Sequence, residues 1–331
     1  MSAALHQHPE TPIPAHQAGA VSVRPLREQD LPAGDRIFRV AFGTFLGMPE
    51  PETFLEGRDF IRSRWRTKPT GALGAECNGE LIGSNFATAW GRVGFLGPLT
   101  IRPDYWDRGV GKRLLEGTDA LFESWGVRHA GLFTFAQSPK HVGLYRRFGF
   151  FPRFLTAIMA KPVVSASGQP TFVRFSSLSA SRQEEALRAC RSLTGSLFEG
   201  LDLEDEVRGI QGHRLGDTLL FWEGARLDGF AVCHFGSGTE GGPGCCYVKF
   251  AAARPGPDAG KTFERLLDCC DSLAAGEGLS GIEAGMSLAR DDAYARMLAR
   301  GFRTIIQGVA MHKPNEPAYH RPDAYVIDDW R

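Results

Sequence analysis

The chain contains one pattern twice. A shift of 152 residues lays Arg102 and Pro103 on Arg254 and Pro255, Leu114 and Leu115 on Leu266 and Leu267, and Gly149 and Phe150 on Gly301 and Phe302, without a gap. In the same register AIMAKP (157–162) falls on VAMHKP (309–314). Self-similarity over this span is a repeat at the scale of a domain, so the fold must be two copies of one unit. The length of 331 residues agrees, at roughly 150 residues per domain. Near the start of each copy VSVRPL (21–26) resembles TFVRFS (171–176), and ELIGSNF around Gly83 resembles RLDGFAV around Gly229. Between the copies PVVSASGQP is small and breaker-rich, as a linker is. The division is a disordered leader (1–20), a first domain (21–162), a linker (163–170), a second domain (171–314) and a tail (315–331). Tyr325, Val326 and Trp330 of the tail either dock on the body or stay exposed.

Each copy mixes antiparallel strands with crossover helices, a mixed α/β (α+β) class with a mostly antiparallel sheet flanked by helices. VGFLGPLTI (93–101) has the apolar content of a buried strand, but Gly97 and Pro98 interrupt it, and Pro98 has no N–H for a ladder. A bulge or a parting of strands is expected there. Leu114, Leu115, Leu121, Phe122 and Trp125 then follow helical spacing, and Gly126 suits the residue after a helix end. AGLFTFA reads as a strand, Ser138 as the cap and Pro139 as the first residue of a short helix. On it Val142, Tyr145 and Phe148 share a face, and FFPRFLTAIMAK returns as a strand.

Gly109 and Gly111 sit between a strand and a helix. Such a loop aims free N–H groups and the positive end of the helix dipole at one point, which suits phosphate, with Arg108 and Lys112 adding charge at the rim. A tight structural turn is the alternative account of the two glycines. With WDRGVG (106–111) and, farther on, LYRRFGF (144–150), the sequence resembles the GNAT N-acetyltransferase superfamily over residues 21–162. A tandem arrangement is known in that superfamily. Its CoA motif carries Gln or Arg where this chain has Trp106, so a usual polar contact is missing; Arg108 is a substitute.

The resemblance implies acetyl-CoA as donor and an amine, of a small molecule, as acceptor. It places Leu99, Thr100 and Ile101 along the pantetheine arm. The N–H groups of Asp107, Arg108, Gly109, Val110, Gly111 and Lys112 then hold the pyrophosphate, in a cleft where two strands splay. It gives the N–H just past Pro98, that of Leu99, the thioester carbonyl to polarise. It makes Tyr145 the acid that protonates the departing thiolate; the plain alternative is an aromatic on the buried face of an amphipathic helix. His141, one turn earlier, is a base, an orienting group or an ordinary helix histidine. Glu76 and Glu80 read as solvated carboxylates, so no base is assigned.

In the second copy Lys261 and Phe263 stand where Gly109 and Gly111 do, and Met297 stands for Tyr145. That copy keeps the fold and loses this CoA site. GPDAGKT (256–262) looks like a P-loop, but three residues, not four, separate its first glycine from the GK pair. Phe42, Phe45 and Met48 offer an apolar acceptor pocket or core packing. Arg62, Arg64, Arg66 and Lys68 read as a solvated basic face, with attraction of an acidic acceptor or of the CoA 3′-phosphate as the alternative.

Lys plus Arg (38) balance Asp plus Glu (38), so no global field recruits nucleic acid or membrane. The seven cysteines lack CxxC spacing, which gives no metal site and points to reduced core residues in a cytoplasmic protein. No signal peptide or spanning segment is read at either end. A monomer or a homodimer is expected, since two copies can satisfy one interface. The rival to an acetyltransferase is a non-catalytic acyl-CoA-binding regulatory module.

Overall fold

The computed structural model describes residues 20–164 and 171–331. The expected leader, up to residue 19, and all but the first two residues of the expected linker, residues 165–170, lie outside the described residues. The first half runs β1 (Ser22–Pro25), α1 (Leu31–Phe45), α2 (Phe60–Thr67), β2 (Ala72–Cys77), β3 (Glu80–Trp90), β4 (Val93–Leu96), β5 (Thr100–Ile101), α3 (Val110–Ser124), β6 (His129–Thr134), α4 (Pro139–Arg147) and β7 (Phe151–Pro162). The second half repeats the order with β8 (Val173–Arg174), α5 (Ala180–Leu197), α6 (Glu204–His213), β9 (Gly216–Glu223), β10 (Arg226–Gly236), β11 (Gly242–Ala253), α7 (Ala259–Gly276), β12 (Gly281–Ser287), α8 (Asp291–Ala299), β13 (Arg303–Lys313) and β14 (Val326–Ile327). The 152-residue shift carries α4 onto α8 end to end.

The local reasons are those the sequence offers. Ser138 Oγ accepts the His141 N–H at the start of α4, Pro139 follows it, and Gly149 ends the turn at φ +82°. Leu114, Leu115 and Phe122 bury one face of α3, and Gly126 leaves the helix at φ +66°.

The two copies do not keep separate sheets. One sheet runs β1-β2-β3-β4-β6-β13-β7-β12-β11-β10-β9-β8, so each copy's last long strand stands between the other copy's strands. β13 pairs with β6, β7 pairs with β12, and β7 and β13 pair antiparallel at the centre. There Ile158 faces Ile306 and Phe154 faces Ala310, the same two positions of the repeat in reversed roles, as a two-fold axis requires. The cores follow the strands: Met311 packs with Leu132, Tyr145 and Phe150, while Met159 packs with Phe263 and Met297.

The tail docks. Tyr319, Val326, Ile327 and Trp330 are buried. Val326 and Ile327 pair with Ala252 and Ala251, and the Ala253 N–H donates to the Tyr325 carbonyl at 3.0 Å. In the repeat register Ala251–Ala253 are the counterparts of Leu99–Ile101, so the second copy's cleft is filled by the chain's own strand. Trp330 lies on Gly131, where a Cβ would come within 2.0 Å of its ring, and the Phe133 N–H donates to the Trp330 carbonyl. All seven cysteines are free, and no helix of the described residues is long and apolar enough to cross a membrane. No group of metal-ligating side chains is found among the described residues.

Candidate active site

β4 and β6 run parallel from Val93 opposite His129 to Leu96 opposite Leu132 and then part. Beyond that point Gly97 turns at φ +143°, and Thr100 and Ile101 pair with β3 instead. The cleft expected at Gly97 and Pro98 is therefore a parting of strands. Its edge is pinned: the Gly97 N–H donates to the Phe86 carbonyl, and Arg64 Nη1 donates to the Gly97 carbonyl at 2.6 Å. The Leu99 N–H has no acceptor among the described residues.

The glycine loop opens α3. Gly109 caps it at φ +77° in the left-handed region, with no atom within 4 Å of where a Cβ would stand. Gly111 packs closely instead: a Cβ there would press on the Ile101 side chain at 3.2 Å and touch Leu144 at 3.5 Å. The first helical bond is from the Arg113 N–H to the Gly109 carbonyl, so the N–H groups of Val110, Gly111 and Lys112 have no partner within the helix. Asp107 stands at φ +63° and is tied to Lys140 of α4 at 2.7 Å. Trp106, which departs from the family pattern, has a structural task. Its Nε1–H donates to the Ile101 carbonyl at 2.8 Å and holds the loop to β5. Arg108 lies over the Tyr105 ring, and Lys112 pairs loosely with Glu116 at 3.7 Å.

Where the strands part there is a cavity of about 150 Å³, lined by Leu96–Leu99, by Tyr145 and His141 of α4, and by aromatic side chains of the first half. Tyr145 is buried, and burial pushes its phenol up, so it carries its proton throughout the neutral range. Burial, then the charge of Lys140, lowers the His141 imidazole, leaving it neutral. Its buried Nδ1 has no partner among the described residues. Phe42 lines this cavity; Phe45 instead packs between Phe135 and His141, and Met48 is not in the wall.

Among the wall residues that the sequence reading did not single out are Ile306 of β13 and Arg331. Both belong to the second copy or its tail and arrive through the strand exchange. Arg331 is paired with Glu283 at 2.7 Å and Asp329 at 3.1 Å. Arg58 makes a two-bonded pair with the same Glu283. The burial of Glu283 raises its carboxyl, but Arg331 and Arg58 outweigh this and bring it down to about 2. The expectation of a solvated basic face fails at Arg64, which is buried and bonded through two nitrogens to Glu240 of the second half. Lys249 joins Glu240 to Glu206 at 3.0 Å each. Glu76 likewise is not simply solvated, since it pairs with Arg24 at 2.7 Å.

Strand, glycine loop and helix, facing a cleft between parted parallel strands, define an acyltransferase fold of the GNAT type. Residues 36–150 match the model of the Acetyltransferase (GNAT) family. No curated protein matches the chain. Among solved structures, a Pyrococcus horikoshii protein assigned as an acetyltransferase is similar over 98% of this chain and 99% of its own, with a TM-score of 0.68 and 16% identity. A GCN5-related N-acetyltransferase of Sphaerobacter thermophilus is similar over 88% and 95%, with a TM-score of 0.56 and 15% identity. A tandem GNAT protein from the clavulanic acid biosynthesis pathway is similar over 88% and 98%, with a TM-score of 0.55 and 12% identity. At these identities the likeness is one of fold.

Proposed function

We propose that the protein transfers an acetyl group from acetyl-CoA to an amine, with one active site in the first copy, residues 21–162, and a second copy, residues 171–314, that keeps the fold without a donor site. One observation carries this reading: Gly97–Leu99, where the strands part, line the cavity together with Tyr145, and Gly111 at the open start of α3 lies against Leu99 and Leu144 beside them. The residues fit the donor. Gly109 leaves room for phosphate where any side chain would project, and the helix N-terminus favours its charge. Leu99–Ile101 take the pantetheine arm, and the free Leu99 N–H faces the carbonyl oxygen as charge develops on it.

Bound acetyl-CoA supplies the reactive thioester. His141 Nδ1 takes a proton from the attacking amine, whose nitrogen forms the new C–N bond as the C–S bond breaks. Tyr145 gives its hydroxyl proton to the leaving sulfur, so the products are an acetamide and free CoA. Calorimetric titration tests the cradle. Acetyl-CoA binds at one site per chain, and Gly109→Glu, which places a carboxylate where the pyrophosphate sits, abolishes binding while leaving the far-ultraviolet circular dichroism unchanged. Binding retained by the variant would return the loop to a structural turn.

A further inference from the structure

The cavity has a chemical signature of its own. Phe38, Phe42, Phe54 and Phe60, packed on one another, line it, and so do Phe133 and Ile306. No aspartate or glutamate lines it, so the wall has no side-chain carboxylate to hold a second ammonium, as a polyamine or an aminosugar would require. Arg331 lines it as well, but its guanidinium lies over the Tyr247 ring and is paired with Glu283 at 2.7 Å and Asp329 at 3.1 Å, so it is not free for an acceptor carboxylate. A volume of about 150 Å³ in a wall of Phe, Leu and Ile suits one aromatic ring or its branched-alkyl equivalent. The same surroundings disfavour an ammonium ion and favour the free base, which is the form that attacks.

We propose that the acceptor is a primary monoamine with an apolar body of about one ring, an arylalkylamine or branched alkylamine, and that Ile306, supplied by the second copy, sets the depth of its pocket. This rests on the acetyltransferase reading above. The transfer joins the amine nitrogen to the acetyl carbon, breaks the thioester C–S bond, and moves one proton from nitrogen to His141 and one from Tyr145 to sulfur.

The test is release of CoA from acetyl-CoA by the full chain with 2-phenylethylamine, isoamylamine, spermidine, kanamycin and glutamate as acceptors, beside calorimetric binding of acetyl-CoA. The two apolar amines are expected to exceed the other three in kcat/KM by roughly a hundredfold or more. Ile306→Trp, which fills the cavity, raises KM for 2-phenylethylamine roughly tenfold with acetyl-CoA binding unchanged. Leu46 lies at the mouth and is 41% exposed, so Leu46→Asp tests the same pocket without burdening the core; it should cost the apolar amines a similar factor. Faster turnover of spermidine, kanamycin or glutamate would overturn the assignment. Acetyl-CoA binding with no turnover of either apolar amine would also overturn it and leave the donor site standing, whereas absence of acetyl-CoA binding would remove the acetyltransferase reading and this one together.

Discussion

Tyr145, the acid of the proposed reaction, also has a structural place. It lies in the core cluster with Leu132, Phe150 and Met311, yet it also lines the cavity. Tyr145→Phe keeps the ring and its packing and removes only the proton, so stability should change by less than about 1 kcal/mol. Its kcat should fall roughly a hundredfold, with acetyl-CoA affinity unchanged, because acid catalysis of this kind contributes about 10²–10⁴. Turnover equal to the parent's, measured by CoA release, would reduce Tyr145 to a core aromatic. The glycine loop and Tyr145 were legible in the sequence because their demands are local: a left-handed cap at Gly109, close approach at Gly111, a helical face for Tyr145. Arg64 was misread for the opposite reason. Its partner Glu240 is distant in the chain, and nothing local distinguishes Arg64 from Arg62 or Arg66.

At the scale of elements, the seam between β6, β13 and the tail is closed by three buried histidines. His129 Nε2 and His312 Nδ1 lie 3.0 Å apart, and the rings of His312 and His320 are 4.8 Å apart, with Trp330 against all three. Burial lowers His129 from 6.5 to about 4, with Arg153 adding to it. Burial and then the charge of His129 lower His312 to about 3, and His320 is held well below its ordinary value by burial and then Arg290. The folded state binds these protons less readily than the unfolded chain, so stability is complete above pH 6.5 and is lost as pH falls below it. For His129 alone the loss between pH 6.5 and 4 is on the order of 3 kcal/mol. Urea midpoints at pH 7.5, 5.5 and 4.5 should fall in that order, and His129→Phe should flatten the profile. A profile that His129→Phe leaves unchanged would show that other groups drive acid unfolding. None of this seam was legible beforehand. The three histidines come from three elements, and only the pairing of β13 with β6 brings them together.

The whole molecule is two copies that complete each other. The repeat was readable as a register, and the matching ends of α4 and α8 bear that register out, but sequence similarity states which strands are equivalent and says nothing of which neighbours they choose. Pairing partners are set by long-range geometry, and here β7 and β13 each bury an apolar face in the opposite copy's core, as Met159 and Met311 show. The consequence is testable by dividing the chain. A segment of residues 20–164 lacks β13, so β6 and β7 stand apart with unpaired edges, and the core around Leu132 and Phe150 loses Val309 and Met311. It should therefore not be a folded monomer. The reversed register at Ile158 and Phe154 offers it one rescue, a symmetric dimer in which each β7 takes the place of β13 in the other chain. Sedimentation should give a dimer or aggregate, and adding residues 171–331 should convert it to a one-to-one complex with the circular dichroism of the intact protein. A monomeric first half that unfolds cooperatively would mean that each copy can close its own sheet, and that the exchange is a preference of the joined chain.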